Sequence, residues 1–270
     1  MFEGYTIVSD MDGTLLNSDG ELSNENIEAI KFFIENGGNF TLATGRMLPS
    51  VNKFMDRLSV NLPIILYNGT KIYDFNNDEI IFEGYLEDER KPIVRKIAKE
   101  NTTFGIEIYC EEKVYIYQAC KYTHRFSRLG YEIIHNVDDS IFNKKWTKVL
   151  IVGEEDEIDI FESNYYENYE QGNVIRSGDK YFELIGKDIS KGKALDLLCD
   201  KFNIDKDRLI TIGDNMNDLE LIKSGAFGYC VENGAKRLKQ EAKYIAPSND
   251  EHIIPFLIDE IKKYNCKVSC

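Results

Sequence analysis

Short apolar runs alternate with helix-spaced segments at both ends of this 270-residue chain, and the runs stop at polar, mostly glycine-bearing turns. That alternation constrains the fold more than any composition figure does. Strands joined through helices run parallel, and a parallel sheet must be covered by helices. The first run is Thr6-Ile7-Val8-Ser9, which leads into Asp10-Met11-Asp12-Gly13-Thr14. Residues 24–35 then place Ile27, Ile30, Phe33 and Ile34 at helical spacing, with Ser23 or Asn24 as N-cap and Gly37-Gly38 as the stop. Residues 39–43 read as a second strand ending in Thr44-Gly45-Arg46, Pro49 opens a short helix, and residues 63–67 form a third strand ending in Asn68-Gly69.

The middle of the chain breaks the pattern. Ile72-Tyr73 and Ile80-Phe82 flank Asn76-Asn77-Asp78, a hairpin signal. From about 85 to 185 the expected order is a helix (88–99), strands at 103–109 and 114–118, a helix near 122–129, a strand at 146–152, a helix at 158–165 and a hairpin of 173–177 with 181–185. Paired strands with helices between them describe an α+β unit. The alternation resumes with a helix opened by Ser190 and a strand at 208–212 that ends in Gly213-Asp214-Asn215-Met216-Asn217-Asp218. A helix through Leu219 and Ile222, a strand at 227–231 leading to Asn233-Gly234, and helices over 235–242 and 251–264 complete the chain. The expected fold is therefore α/β, a Rossmann-like three-layer parallel-sheet core over 1–83 and 188–270, with an α+β domain over 84–187 inserted into it.

Composition narrows the function. With 47 acidic against 33 basic residues the net charge is -14, which argues against sequence-independent nucleic-acid binding and requires local cations to capture an anionic substrate. No apolar stretch approaches a membrane span, and no basic segment followed by an apolar run marks a signal peptide. The six cysteines show no Cys-x-x-Cys pair, so the cytoplasm is the expected compartment. His124, His135 and His252 lack metal-ligand spacing. Nothing in the chain points to an oligomeric state.

Two aspartates one residue apart at the C-terminal end of a parallel strand stand where open α/β sheets bind ligands. Such carboxylates repel each other unless a cation or a proton compensates. Alone, Asp-x-Asp-Gly could be a solvated turn or part of a calcium loop. It is not alone, because five strand ends carry polar or glycine residues: Asp10 with Asp12, Thr44, Asn68, Asp214 with Asp218, and Asn233.

Asp10-Met11-Asp12-Gly13-Thr14, Ala43-Thr44-Gly45-Arg46, Ser190-Lys191-Gly192 and Gly213-Asp214-x-x-Asn217-Asp218 resemble, in order, the four motifs of the haloacid dehalogenase-like hydrolases. The insert resembles the α+β cap of the Cof-type subfamily. The resemblance implies a Mg²⁺-dependent phosphatase acting on small phosphorylated metabolites. It makes Asp10 the nucleophile that forms an aspartyl-phosphate and Asp12 the general acid and base. Thr44 would bond a phosphoryl oxygen and Lys191 would offset its charge. The Asp10 side chain, the Asp12 backbone carbonyl and Asp214 would hold Mg²⁺, with Asp218 in support. Gly13, Gly45, Arg46, Asn68, Asn217 and Asn233 would line the phosphate pocket.

The chain departs from the family where Val231-Glu232-Asn233-Gly234 replaces Met-Gly-Asn-Ala, and where His252 stands for a glycine. A phosphohexomutase and a non-catalytic phosphometabolite-binding protein are the competing readings. The intact acid pair and lysine weigh against the binding protein.

Overall fold

The computed structural model describes residues 1–124 and 131–268. Along the chain run β1 (Thr6–Ser9), α1 (Asn24–Glu35), β2 (Asn39–Leu42), α2 (Leu48–Met55), β3 (Ile64–Leu66), β4 (Lys71–Asp74) and β5 (Glu79–Glu83). Next come α3 (Pro92–Glu100), β6 (Gly105–Cys110), β7 (Lys113–Gln118), β8 (Glu132–Ile134), β9 (Lys148–Val152), α4 (Glu155–Asn168), β10 (Val174–Gly178) and β11 (Tyr181–Ile185). The last part holds α5 (Lys191–Phe202), β12 (Leu209–Gly213), α6 (Leu219–Ser224), β13 (Phe227–Val231), α7 (Lys236–Glu241), β14 (Tyr244–Ala246) and α8 (Ile253–Val268). The helix expected near 122–129 lies mostly outside the described residues.

Two compact units emerge, one of residues 1–45, 54–81 and 190–270, the other of 46–53 and 82–189. In the first, five strands pair in the order β14-β13-β12-β1-β2, all parallel. A single parallel bridge from Ala43 to Ile65 extends this sheet to β3, which begins the β3-β4-β5 meander. From β1 the chain proceeds to β2 on one side, whereas β12, β13 and β14 follow on the other. The order therefore reverses between β1 and β12, the position whose C-terminal strand ends bind ligands in open α/β sheets. Right-handed crossovers leaving in opposite directions would place helices on both faces of such a sheet. Consistent with this, β1 is buried along its whole length. Strand β14 had no sequence expectation. Three residues at a sheet edge, with Tyr244 and Ile245 exposed, carry no apolar alternation to read.

The second unit is a six-stranded sheet, β10-β11-β9-β6-β7-β8, antiparallel except for the β7–β8 pair. Its apolar face packs on α3 and α4 through Val94, Ile97, Ile158, Phe161 and Tyr165 against Ile106, Ile108, Val149 and Phe182. Strand β8 was also unread in the sequence, again a three-residue edge strand.

Candidate active site

Beyond β1 the backbone turns sharply. Asp12 is extended (φ -78°, ψ 123°), Gly13 takes φ +74°, and Leu16 N–H closes the turn on the Met11 carbonyl at 2.9 Å. Gly13 is required twice over, by that left-handed backbone and because a Cβ there would lie 2.7 Å from Asp214 Oδ2. Asp10 N–H still donates to Ile212 O in β12 at 3.0 Å, so Asp10 ends buried and Asp12 exposed.

Lys191, the first residue of α5, is fully buried and donates to Asp10 Oδ1 and to Asp218 Oδ1, each at 2.6 Å. A cation at a helix N-terminus opposes the helix dipole. Two carboxylates outweigh that cost. Burial works against the Lys191 charge, yet Asp10 and Asp218 hold its ammonium above the usual lysine range. Asp218 is also the hub of its own loop, accepting through Oδ2 from Asp214 N–H at 3.0 Å and Asn215 N–H at 3.2 Å. On the neighbouring turn, Gly69 lies against α5 (φ +102°), where a Cβ would meet Ser190 O at 2.2 Å.

Carboxylate oxygens of Asp10, Asp214 and Asp218 can all lie within 4.8 Å of one another; the Asp12 side chain is not part of that convergence. One lysine does not neutralise them. Burial drives the Asp10 carboxyl well above its usual range, Lys191 opposes this, and Asp218, Asp214 and Asp12 add to it. Asp214 is pushed up to about 7, by burial first and Asp218 next. Hard oxygen donors with excess negative charge suit Mg²⁺. A second observation fits. Asn217 Oδ1 is buried without a hydrogen-bond partner, and as an acceptor it would suit a hydrogen of metal-bound water rather than a phosphate oxygen.

The Asp214 shift has a testable sign. A carboxyl held above its unfolded value adds stability at low pH and loses it as pH rises through about 7. In chelator, the wild type should lose up to about 1.4 kcal/mol per pH unit from this group between pH 5 and 7 relative to Asp214→Asn. Urea unfolding of both proteins across that range checks it.

Thr44 is fully buried at the end of β2, its N–H on Ile65 O at 2.8 Å and its carbonyl accepting from Asn68 N–H at 3.0 Å. Asn68 is left-handed (φ +57°), which asparagine tolerates, and its Oδ1 accepts from Asn217 Nδ2 at 3.1 Å. Gly45 packs against the same Asn68 amide. Arg46 belongs to the other unit, where it donates to Ser50 Oγ at 3.3 Å. Asn233 is tied into the loop that follows Asp10. Its Nδ2 donates to Gly13 O at 2.8 Å and its Oδ1 accepts from Asn249 N–H at 2.9 Å, so it braces the loop.

Asn233 has two partners in that work, neither singled out in the sequence. Asn26 Nδ2 reaches Leu15 O at 3.2 Å and Asn249 Nδ2 reaches Leu16 O at 2.9 Å. Three asparagine amides thus hold consecutive parts of the turn after Asp10. Nothing local marks an asparagine as a long-range brace, since the same residue suits caps and turns. His252 sits nearby with φ +57°, a left-handed backbone that glycine adopts at less cost. His252→Gly should therefore raise stability by about 0.5–1 kcal/mol, read by thermal unfolding.

Converging aspartates and a buried lysine at the switch point of a parallel sheet are an arrangement suited to phosphoryl-transfer chemistry. The chain belongs to the haloacid dehalogenase-like hydrolases, whose family model matches residues 7–257, and it is a phosphatase-type enzyme. It is 28% identical to a Streptococcus pyogenes protein provisionally named as a phosphatase, over 91% of this chain and 93% of that one. It is 25% identical to the Bacillus subtilis 5-amino-6-(5-phospho-D-ribitylamino)uracil phosphatase YwtE, covering 94% of this chain and 97% of that protein. Among solved structures, a haloacid dehalogenase-like hydrolase from Bacteroides thetaiotaomicron matches with TM-score 0.80 and 28% identity, over 95% of this chain and 99% of the other. No described helix is long and apolar enough to cross a membrane.

Proposed function

We propose that the chain is a Mg²⁺-dependent phosphatase of small phosphorylated metabolites, working through an aspartyl-phosphate on Asp10, with residues 84–187 as its cap domain. The observation that carries this reading is Lys191 held at 2.6 Å from both Asp10 and Asp218 beside Asp214. Asp10 attacks phosphorus as a carboxylate, and Lys191 offsets charge on the nucleophile and on the phosphoryl oxygens. The exposed Asp12 carboxyl protonates the leaving alcohol, then takes a proton from the water that cleaves the acyl phosphate. Asp10, the Asp12 carbonyl and Asp214 would hold the Mg²⁺, which supplies Lewis-acid stabilisation of the phosphoryl oxygens. Asp218 instead keeps Lys191 and the Asp214 loop in place. The described cysteines are all free thiols, as suits a reducing cytoplasm.

Phosphate release from a panel of sugar phosphates, flavin-precursor phosphates and pyridoxal phosphate, with and without Mg²⁺, tests the reading. Metal-dependent turnover of at least one compound is expected. Isomerised hexose phosphate in place of free phosphate would transfer the assignment to a mutase. Mg²⁺ binding without any turnover would leave a binding protein.

A further inference from the structure

The same strands that end at Asp10 and Asp214 begin at a second cavity. It has a volume of about 170 Å³ and lies at the N-terminal ends of β1, β12, β13 and β14, beside the C-terminal half of α8. Aromatic rings dominate its lining: Tyr5, Phe227, Tyr229, Tyr244 and Tyr264. Tyr5 and Tyr229 are buried, whereas Tyr244 and Tyr264 are 38% and 45% exposed. The rings are ordered against each other. Tyr229 and Tyr244 stack with centroids 5.1 Å apart at 30°, and Tyr264 meets Phe227 edge-on at 5.0 Å and 79°.

The charges around this cavity decide what it can take. Among the described residues Glu260 is the one carboxylate in the lining, and Lys263 Nζ donates to its Oε1 at 2.7 Å. The faces of Tyr5 and Tyr244 already carry cations, Arg208 at 5.7 Å and Lys243 at 5.6 Å from the centroids. An organic cation would meet ring faces already in use, and an anion would meet Glu260. The two charges in the lining, Glu260 and Lys263, are already paired with each other, so neither is left whole for an organic ion. A neutral aromatic ring does have a complementary site, in apolar area, ring edges and faces, and the remaining acceptor capacity of Glu260. An apolar cavity of about 150 Å³ is enough for benzene.

We infer that this cavity is a binding site for a neutral, one- or two-ring aromatic molecule bearing an N–H or O–H that donates to Glu260. The site is separate from the phosphoryl chemistry, because it opens at the opposite end of β1 and β12. Its ligand class differs as well, since Lys263, the lysine in the lining, is paired with Glu260, whose carboxylate would repel a phosphate.

Saturation-transfer NMR on the full chain, with indole, p-cresol, toluene, benzoate and benzylammonium as probes, tests this. Indole and p-cresol should bind, and benzoate and benzylammonium at least about tenfold more weakly. Tyr264→Ala, at a half-exposed position, should weaken indole and toluene alike by about tenfold. Glu260→Leu should weaken indole and p-cresol by about fivefold and leave toluene unchanged, which isolates the hydrogen bond. Asp10→Asn should change none of these affinities, so failure of the phosphatase reading cannot imitate failure here. No transfer to indole, an indole affinity left unchanged by Tyr264→Ala, or equal binding of the ions would overturn the assignment. So would sedimentation as a dimer that excludes the probes, which would make a second copy the occupant.

Discussion

Asp10→Asn should reduce metal-dependent phosphate release by about 10⁴-fold or more, with the protein still folded. The amide is nearly the same size as the carboxylate but cannot attack phosphorus, and loss of a nucleophile removes most of the rate in enzymes that use one. The fold should survive for an electrostatic reason. Asp10 sits in a pocket where burial, Asp218, Asp214 and Asp12 all disfavour its charge, with Lys191 opposing them. Removing one negative charge lowers the repulsion on Asp214, and Asp218 still compensates Lys191 at 2.6 Å. The check is turnover by released phosphate beside the unfolding midpoint in chelator. A variant that keeps more than about 1% of wild-type turnover would remove Asp10 from the nucleophile role. A variant that fails to fold would show that the Asp10–Lys191 pair is needed for stability.

Lys191→Met should cost about 3–5 kcal/mol of stability as well as activity. The ammonium is the shared partner of two buried carboxylates, and methionine fills similar volume without charge. What remains is Asp10 and Asp218 facing each other with Asp214 close by. Those groups must then either protonate or stay charged without a counterion, so the loss should deepen as pH rises. Adding Asp218→Asn to Lys191→Met should restore part of the loss. That recovery separates the ion pair from simple packing and can be measured as a coupling energy by urea unfolding. Two additive losses would mean that Lys191 stabilises the fold through its contacts rather than its charge.

Much of the molecule is written locally. The helix expected over 24–35 is α1 at the same residues, because Ser23 caps it and its apolar residues repeat at helical spacing. The parallel core could be read because each of its strands stops at a polar turn. The two strands that went unread, β8 and β14, are three-residue edge strands with too few side chains to show a period. Asp10 and Asp214 were legible for a related reason, since a carboxylate beside a glycine at a buried strand's end has few structural uses.

Partnership was not legible. Lys191 meets Asp10 across 181 positions of sequence, and Asn233 reaches Gly13 across 220. Those contacts depend on β12 lying beside β1, an order that no local pattern specifies. By itself, then, the sequence determined which elements form, where they stop, and that acids stand at the strand ends. Only the tertiary structure decided that Asp218 serves Lys191, that Asn233 braces a loop, and that Arg46 stands in the other unit. The division has a physical cause. Helix periodicity, capping and turn chemistry act within a few residues, whereas a hydrogen bond between distant side chains exists only once the register of the sheet has placed them within reach.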